Sequence, residues 1–88
     1  MSDANEVRRK RVLFRAHHTG MKENDLLIGT FADRHLASLD DAEVEWFEWL
    51  LMNHDDIDLY NWITGREAAP EALQHPVMTA MKNFKLTD

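Results

Sequence analysis

Short apolar segments with helical spacing are the feature that most restricts the fold of this chain. Large apolar residues recur every three or four positions, as in Leu27, Ile28 and Phe31, and each segment is interrupted after about fifteen residues or fewer by glycine, proline or a Ser/Asp cluster. No segment shows the strict alternation of a strand. Helices of this length bury an apolar face only against each other. The pattern therefore predicts an all-α fold, a compact bundle of about five short helices.

Capping residues and glycines set the expected ends of these helices. Gly20 and Gly65 are expected to end the first and fourth helices, because both positions suit a residue with positive φ. The third helix is expected to begin at a capping pair, which is either Ser38 with Asp41 or Asp40 with Glu43. The expected bounds are about 5–18, about 21–35, a third helix after the capping pair, 57–64 behind an Asp55 or Asp56 cap, and a fifth helix from Pro70 or Pro76.

Aromatic residues divide between the predicted core and the predicted surface. Phe47 and Trp62 lie on apolar helix faces and are assigned to the core. Tyr60 and one of Trp46 or Trp49 are expected to be partly exposed anchors for a partner. The other residues on the predicted apolar faces are Leu27, Ile28, Phe31, Leu36, Val44, Leu50, Leu51, Leu73, Val77, Ala80, Met81 and Phe84.

Length and composition predict one domain spanning residues 1–88, with frayed ends at 1–5 and 86–88. The chain has no cysteine, which excludes disulfides and thiolate metal ligands and favours a reducing, cytoplasmic location. The first 18 residues contain no apolar stretch typical of a secretory signal, and Asp3 and Glu6 argue against a transit peptide. No apolar stretch approaches the roughly 20 residues of a membrane span, so membrane insertion is not expected.

The charge is acidic overall and unevenly distributed. The net charge is −6, yet residues 8–11 read RRKR, and the acidic residues from Asp40 to Asp58 are accompanied by no lysine or arginine. Such a distribution favours a partner with a complementary surface. A small nucleic-acid-binding protein that uses its basic first helix is the alternative, and a steep loss of binding with salt would indicate it. The acidic total and the lack of a helix-turn-helix signature weigh against that alternative.

No residue pattern predicts catalysis or a metal site. His17 and His18 are adjacent, so on a helix their side chains diverge by about 100°, and the other histidines lie far apart in the sequence. Glu23 and Asp25 point about 200° apart on a helix, which is poor geometry for an acid–base pair. Carboxylates in a first helical turn interact favourably with the helix dipole, and this is the simplest explanation for both. We therefore expect no catalytic and no metal-binding residues.

Two blocks of the sequence resemble a known family. The segment RRKRVLFRAHHTGMKENDLLIGTFAD contains the turn Thr19-Gly20-Met21-Lys22-Glu23, which is similar to an RGxxE motif, and DDIDLYNW follows the acidic helix. In this order and with this helical pattern, the blocks resemble the SdhE-like succinate dehydrogenase assembly factors, which promote flavinylation. The resemblance extends from about Arg8 to Phe84, nearly the whole chain.

The resemblance implies a five-helix bundle and a non-enzymatic role as an assembly chaperone. It implies binding to the flavoprotein subunit of succinate dehydrogenase, and extends to the related subunit of fumarate reductase. The factor promotes covalent attachment of FAD to a histidine of that client. FAD is then held by the client, and no cofactor is expected to be bound tightly by this chain. A monomer that binds no nucleic acid is expected.

The resemblance also implies a client-binding surface around the glycine turn. Gly20 and Glu23 match the family motif directly, and Asp25 matches its acidic position. Thr19 replaces the family's arginine, so either Arg15 or Lys22 supplies the missing cation, or the client is bound more weakly or has changed to match. The expected partner-binding residues are Arg15, His18, Thr19, Gly20, Met21, Lys22, Glu23 and Asp25, with Arg8, Arg11 and Tyr60 as a secondary partner surface.

Overall fold

The structure, a computed structural model, describes residues 4–84, and this range is built of helices without strands. Its five α-helices are α1 (Ala4–His17), α2 (Lys22–His35), α3 (Asp41–Asn53), α4 (Asp56–Thr64) and α5 (Pro76–Asn83). Single turns of 3₁₀ helix, Leu36–Ser38 and Glu71–Leu73, precede α3 and α5. The predicted all-α class and the five short helices are confirmed.

Side-chain caps determine where the last three helices begin. Asp40 accepts a hydrogen bond from the Glu43 backbone N–H (2.8 Å), and the Glu43 carboxylate accepts one from the Asp40 N–H (2.9 Å), which together form a capping box. Asp55 caps α4 by accepting a hydrogen bond from a backbone N–H of the first turn (2.8 Å). The His75 ring caps α5, and Pro76 is the first residue of that helix. Among the alternatives that the sequence leaves open, Asp40, Asp55 and Pro76 are therefore the ones used.

All five helices contribute to one apolar core. Phe47 and Trp62, both predicted as core residues, are 0% and 7% exposed. Phe31 meets the Phe47 ring edge to face, with 5.9 Å between the ring centroids. The remaining core side chains of the helices are Val12, Ala16, Ile28, Ala32, Val44, Leu50, Leu59, Ile63, Val77, Met78 and Met81.

In α5 the predicted apolar face is wrong at one position. Ala80 is exposed, whereas Met78 is buried beside Val77. Val77, Met78 and Met81 lie within about 100° of one another around α5, and Ala80 lies about 60° outside that arc, towards solvent.

The ends of the chain lie largely outside the described residues. Ala4 and Asn5 belong to α1, where the sequence predicts fraying. The other residues of the predicted frayed ends, 1–3 and 86–88, are not among residues 4–84. The single domain over residues 1–88 stays a prediction.

A glycine inside α2 allows that helix to approach α1 closely. If residue 29 carried a Cβ, this atom would lie only 2.6 Å from Nδ1 of His17. The His17 ring is held in place because its Nε2–H donates to Asp33 of α2 (2.9 Å). Close packing of the two helices thus explains Gly29, which is otherwise unfavourable in the middle of a helix.

Candidate partner-binding surface

The turn between α1 and α2 brings together the two sequence blocks that carry the family resemblance. Gly20 has a φ of 102°, which side chains of L-residues rarely adopt. A Cβ at Gly20 would also lie 3.1 Å from Oδ2 of Asp56, in the first turn of α4. Glycine is therefore favoured here by the backbone conformation, and any side chain would also have to shift the Asp56 carboxylate by a few tenths of an ångström. The glycine turn and the DDIDLYNW segment meet at this contact.

Asp25 holds the glycine turn in place from within the chain. One of its carboxylate oxygens accepts hydrogen bonds from the Thr19 backbone N–H (2.7 Å) and from the Thr19 hydroxyl (2.8 Å). These bonds, followed by weaker contributions from the His18 charge and the Gly20 backbone, lower the pKa of the Asp25 carboxyl below its usual value. The hydroxyl of Thr19 thus has an internal partner, and Asp25 orders the turn that it belongs to.

A buried amide connects the start of α2 to the start of α4. Asn24 is 0% exposed, and its side-chain N–H donates to the backbone carbonyl of Asp56 (2.7 Å). Burial raises the pKa of the Asp56 carboxyl above its usual value, and the nearby charges of Asp25 and Asp55 act in the same direction. Sequence reasoning missed Asn24, because a polar residue in a first helical turn gives no sign that it is buried.

Three of the charged side chains next to this turn, those of Arg15, Lys22 and Glu23, have no partner within residues 4–84. Lys22 and Glu23 are exposed and make no hydrogen bond or ion pair there. Arg15 is exposed as well, and its charge acts on Glu48 only at a distance beyond an ion pair. Both carboxylates predicted in the first turn of α2 are found there, but Glu23 faces solvent while Asp25 is engaged internally.

His18 adds an aromatic element beside the turn. Its ring stacks on Phe14, with 4.1 Å between the ring centroids, and its Nδ1–H donates to the Phe14 carbonyl (2.7 Å). Phe14 is 64% exposed, so the stacked pair presents an apolar edge to solvent. Met21, at the N-cap of α2, is half-buried. The primary set of predicted residues therefore forms one continuous segment around the turn.

The basic run at residues 8–11 is largely engaged by α3. The two helices run in the same direction side by side, because Arg8 meets Glu45 and Arg11 meets Glu48, both 37 positions apart. Arg11 holds Glu48 through both Nε and Nη2, and these hydrogen bonds lower the pKa of the Glu48 carboxyl. Arg9 donates to the Leu36 and Leu39 carbonyls and to Asp41 of α3; these contacts are 2.9, 2.7 and 3.0 Å.

This pairing weakens two predictions made from the basic run. Three of its four cations contact carboxylates of α3, so few remain for the phosphates that a nucleic-acid-binding helix must neutralise. For the same reason Arg8 and Arg11 are poor candidates for a secondary partner surface. Tyr60, the third member of that predicted surface, is half-buried beneath the Arg66 guanidinium (5.3 Å from the ring centroid).

In residues 4–84, no three His, Asp or Glu side chains are grouped so that they could hold a metal ion. His54 packs between Trp49 and Trp62, and His75 stacks on Trp46. Tyr60 is partly exposed and Trp49 is 45% exposed, as predicted, while their role as anchors for a partner stays a prediction. The arrangement around the glycine turn provides fixed backbone and free charges, which suit binding to another protein.

Comparison with known proteins agrees with the resemblance in the sequence. A family model described as "Flavinator of succinate dehydrogenase" matches residues 10–85. Succinate dehydrogenase assembly factor 2, mitochondrial, of Danio rerio is 31% identical over 83 residues, which cover 93% of this chain and 52% of that protein. The Mycosarcoma maydis protein of that name is 37% identical over 81 residues, 92% of this chain and 34% of its own length. This chain thus spans about half or less of these relatives.

The names of these relatives contradict the predicted cytoplasmic location. The proteins from Danio rerio, Aedes aegypti and Mycosarcoma maydis are all called mitochondrial, which points to mitochondria instead. In the described part of the chain, every helix is too short or too polar to cross a membrane.

Proposed function

Because the chain belongs to the succinate dehydrogenase flavinator family, we propose that it binds the flavoprotein subunit of that enzyme and promotes covalent attachment of FAD there. Its general role is that of an assembly factor with a protein partner in the succinate dehydrogenase complex. The flavoprotein subunit is its contact in that complex, and the chain acts there without being an enzyme itself. The corresponding subunit of fumarate reductase is a second client, on which the chain acts in the same way.

One observation carries this proposal: a turn that is fixed from within displays charges that have no partner of their own. Thr19, Gly20, Asn24, Asp25 and Asp56 hold the turn through hydrogen bonds and close packing. A fixed turn loses little conformational entropy when a partner binds, which favours recognition. Water solvates the free charges next to the turn until a partner covers them. A partner without complementary groups would leave them buried and unpaired, which costs free energy, so these charges select a partner with complementary groups.

The free side chains have distinct roles in this proposal. Glu23 accepts hydrogen bonds from donor groups of the client. Arg15 supplies the cation that the family motif places at position 19. In the register of the α1–α3 pairs it falls opposite Met52, where α3 offers no carboxylate. Lys22 adds a second positive charge beyond the turn. Thr19 and Asp25 act through the turn conformation.

The flavin belongs to the client in this proposal. The three glycines of the chain, Gly20, Gly29 and Gly65, are isolated from each other in the sequence, so no glycine-rich cradle for a pyrophosphate is present. FAD supplies the reactive carbon and the client supplies the acceptor histidine. This chain contributes by holding the client in a conformation in which those two groups are aligned, and alignment alone can lower a barrier by several kcal/mol.

In-gel flavin fluorescence of the denatured flavoprotein subunit tests the proposal. The subunit is produced alone, with the wild-type chain, and with Glu23→Ala, Arg15→Ala or Thr19→Arg variants. We expect fluorescence that depends on the wild-type chain and that falls with Glu23→Ala and Arg15→Ala. We expect Thr19→Arg to keep fluorescence at or above the wild-type level, because the residue-19 backbone N–H still bonds to Asp25 and the new side chain restores the cation of the family motif.

A matched carboxylate control separates the surface from general effects of charge. Glu67 is exposed, and its side chain makes no hydrogen bond or ion pair with residues 4–84, so Glu67→Ala changes the net charge as Glu23→Ala does. Equal fluorescence with Glu67→Ala and the wild type is expected. Equal fluorescence with and without the chain would refute the proposal for this client. An equal loss with Glu67→Ala and Glu23→Ala would refute the assignment of the surface.

A further inference from the structure

A shallow pocket on α3, away from the glycine turn in sequence, is lined by two tryptophans, a histidine and a glutamate. Trp46 stacks on His75 with 4.0 Å between ring centroids and 4° between ring planes. The Trp49 ring lies 6.3 Å from the Trp46 ring at 41° and is the most exposed tryptophan of the chain. Ala42 and Glu45 complete the wall.

The lining of this pocket contains one carboxylate, that of Glu45, and no lysine or arginine. Glu45 and Trp49 are four positions apart on α3 and so lie on the same face. The Glu45 side chain is 69% exposed, and its contact with Arg8 is long, at 3.5 Å, so an incoming guanidinium would replace Arg8 at this carboxylate. His75 Nδ1 accepts a hydrogen bond from the Val77 N–H (3.1 Å), which holds the ring against Trp46. No lysine or arginine occurs from Asp40 to Asp58.

We propose that this pocket binds an arginine side chain from a basic segment of a protein partner. A planar guanidinium stacks on an aromatic face and at the same time forms two parallel hydrogen bonds with a carboxylate, which an ammonium group does not. Trp49 offers the face and Glu45 the carboxylate. Met52, 57% exposed and one turn further along the same face, extends the surface for an apolar residue beside the arginine. The inference goes beyond the proposed function and does not depend on its client.

Two-dimensional ¹H–¹⁵N NMR of the full chain, titrated with the blocked tripeptide acetyl-Ala-Arg-Leu-amide, tests the proposal. Citrulline in place of arginine is the matched control, since it keeps the shape and removes the charge. We expect saturable shifts at the Trp46 and Trp49 indole N–H groups and at Ala42, Glu45 and His75. The citrulline peptide should produce shifts that do not saturate over the same concentration range.

Variants on the exposed surface identify the groups involved. Glu45→Gln and Trp49→Ala are each expected to weaken binding of the arginine peptide by about two- to fivefold, as for an exposed cation–π contact or ion pair. Glu67→Gln is expected to leave it unchanged. Saturable binding of both peptides with equal affinity would show apolar contact alone and would overturn the proposal. Shifts centred on Glu23 and Lys22, or shifts that depend on protein concentration without peptide, would also overturn it.

Discussion

At the scale of single residues, Gly20 and Gly65 allow backbone strain to be separated from steric contact. Both have positive φ, 102° and 82°, but a Cβ at Gly65 would meet no atom within 4 Å, whereas at Gly20 it would meet Asp56. Gly65→Ala should therefore cost about 1 kcal/mol of unfolding free energy from backbone strain alone. Gly20→Ala should cost clearly more. Urea unfolding measures both, and equal costs would mean that the Asp56 side chain moves aside without penalty.

Asp25 and Asp56 lie at the same turn, but their pKa values are shifted in opposite directions. The lowered pKa of Asp25 stabilises the fold above the unfolded pKa of about 4, and this contribution is lost as the pH falls through the lower folded value. The raised pKa of Asp56 has the opposite effect: stability is lost as the pH rises from the unfolded value through the higher folded value. The two carboxyls thus oppose each other in the pH dependence of stability.

Amide variants should make this opposition measurable. Asp25→Asn is expected to be less stable than the wild type at neutral pH, with the difference shrinking as the pH falls below the unfolded pKa of about 4. Asp56→Asn is expected to gain stability relative to the wild type as the pH rises from about 4 to neutral. Urea unfolding at several pH values measures both differences. A difference for Asp56→Asn that stays constant with pH would contradict the burial of its carboxyl.

Sequence reasoning identified the turn but could not separate its two carboxylates. Glu23 and Asp25 have the same simple explanation in the sequence, since both lie in the first turn of α2. They differ because the backbone reversal at Gly20 carries the Thr19 N–H and hydroxyl to Asp25 and leaves Glu23 in solvent. Asn24 and its contact with Asp56 depend on how α2 and α4 pack, which local patterns do not contain.

At the scale of helices, the ends were predictable and the pairing of charges was not. Caps and glycines act within a few residues, so α1, α2 and α4 begin and end within one residue of prediction. The α1–α3 pairs join residues 37 positions apart, which only the tertiary fold brings together. The basic run suggests a free surface in the sequence, but in the structure most of its side chains form ion pairs within the molecule.

The Glu48 carboxylate is the central group of these pairs. It is 8% exposed as a residue, accepts two hydrogen bonds from Arg11 and lies 3.5 Å from Arg8 Nε. Glu48→Gln should lower the unfolding free energy by about 1–3 kcal/mol, because charged hydrogen bonds are lost at a mostly buried site. Glu45→Gln, one turn away and exposed, should change it by less than about 1 kcal/mol. Thermal unfolding compares the two, and similar losses would contradict a special role for Glu48.

At the scale of the whole molecule, the core predicts one cooperative unfolding transition. Its buried side chains come from all five helices, so no helix keeps its apolar face covered when another leaves.

Trp62 is buried within this core, while Trp46 and Trp49 lie towards the surface of α3. A Trp46→Phe, Trp49→Phe variant therefore reports core unfolding by fluorescence from Trp62 alone. Its transition in urea should coincide with the loss of helical circular dichroism, with a slope of about 1 kcal/mol per molar urea. A fluorescence transition that precedes the loss of helix would show that α4 separates from the bundle first, and would refute a single cooperative domain.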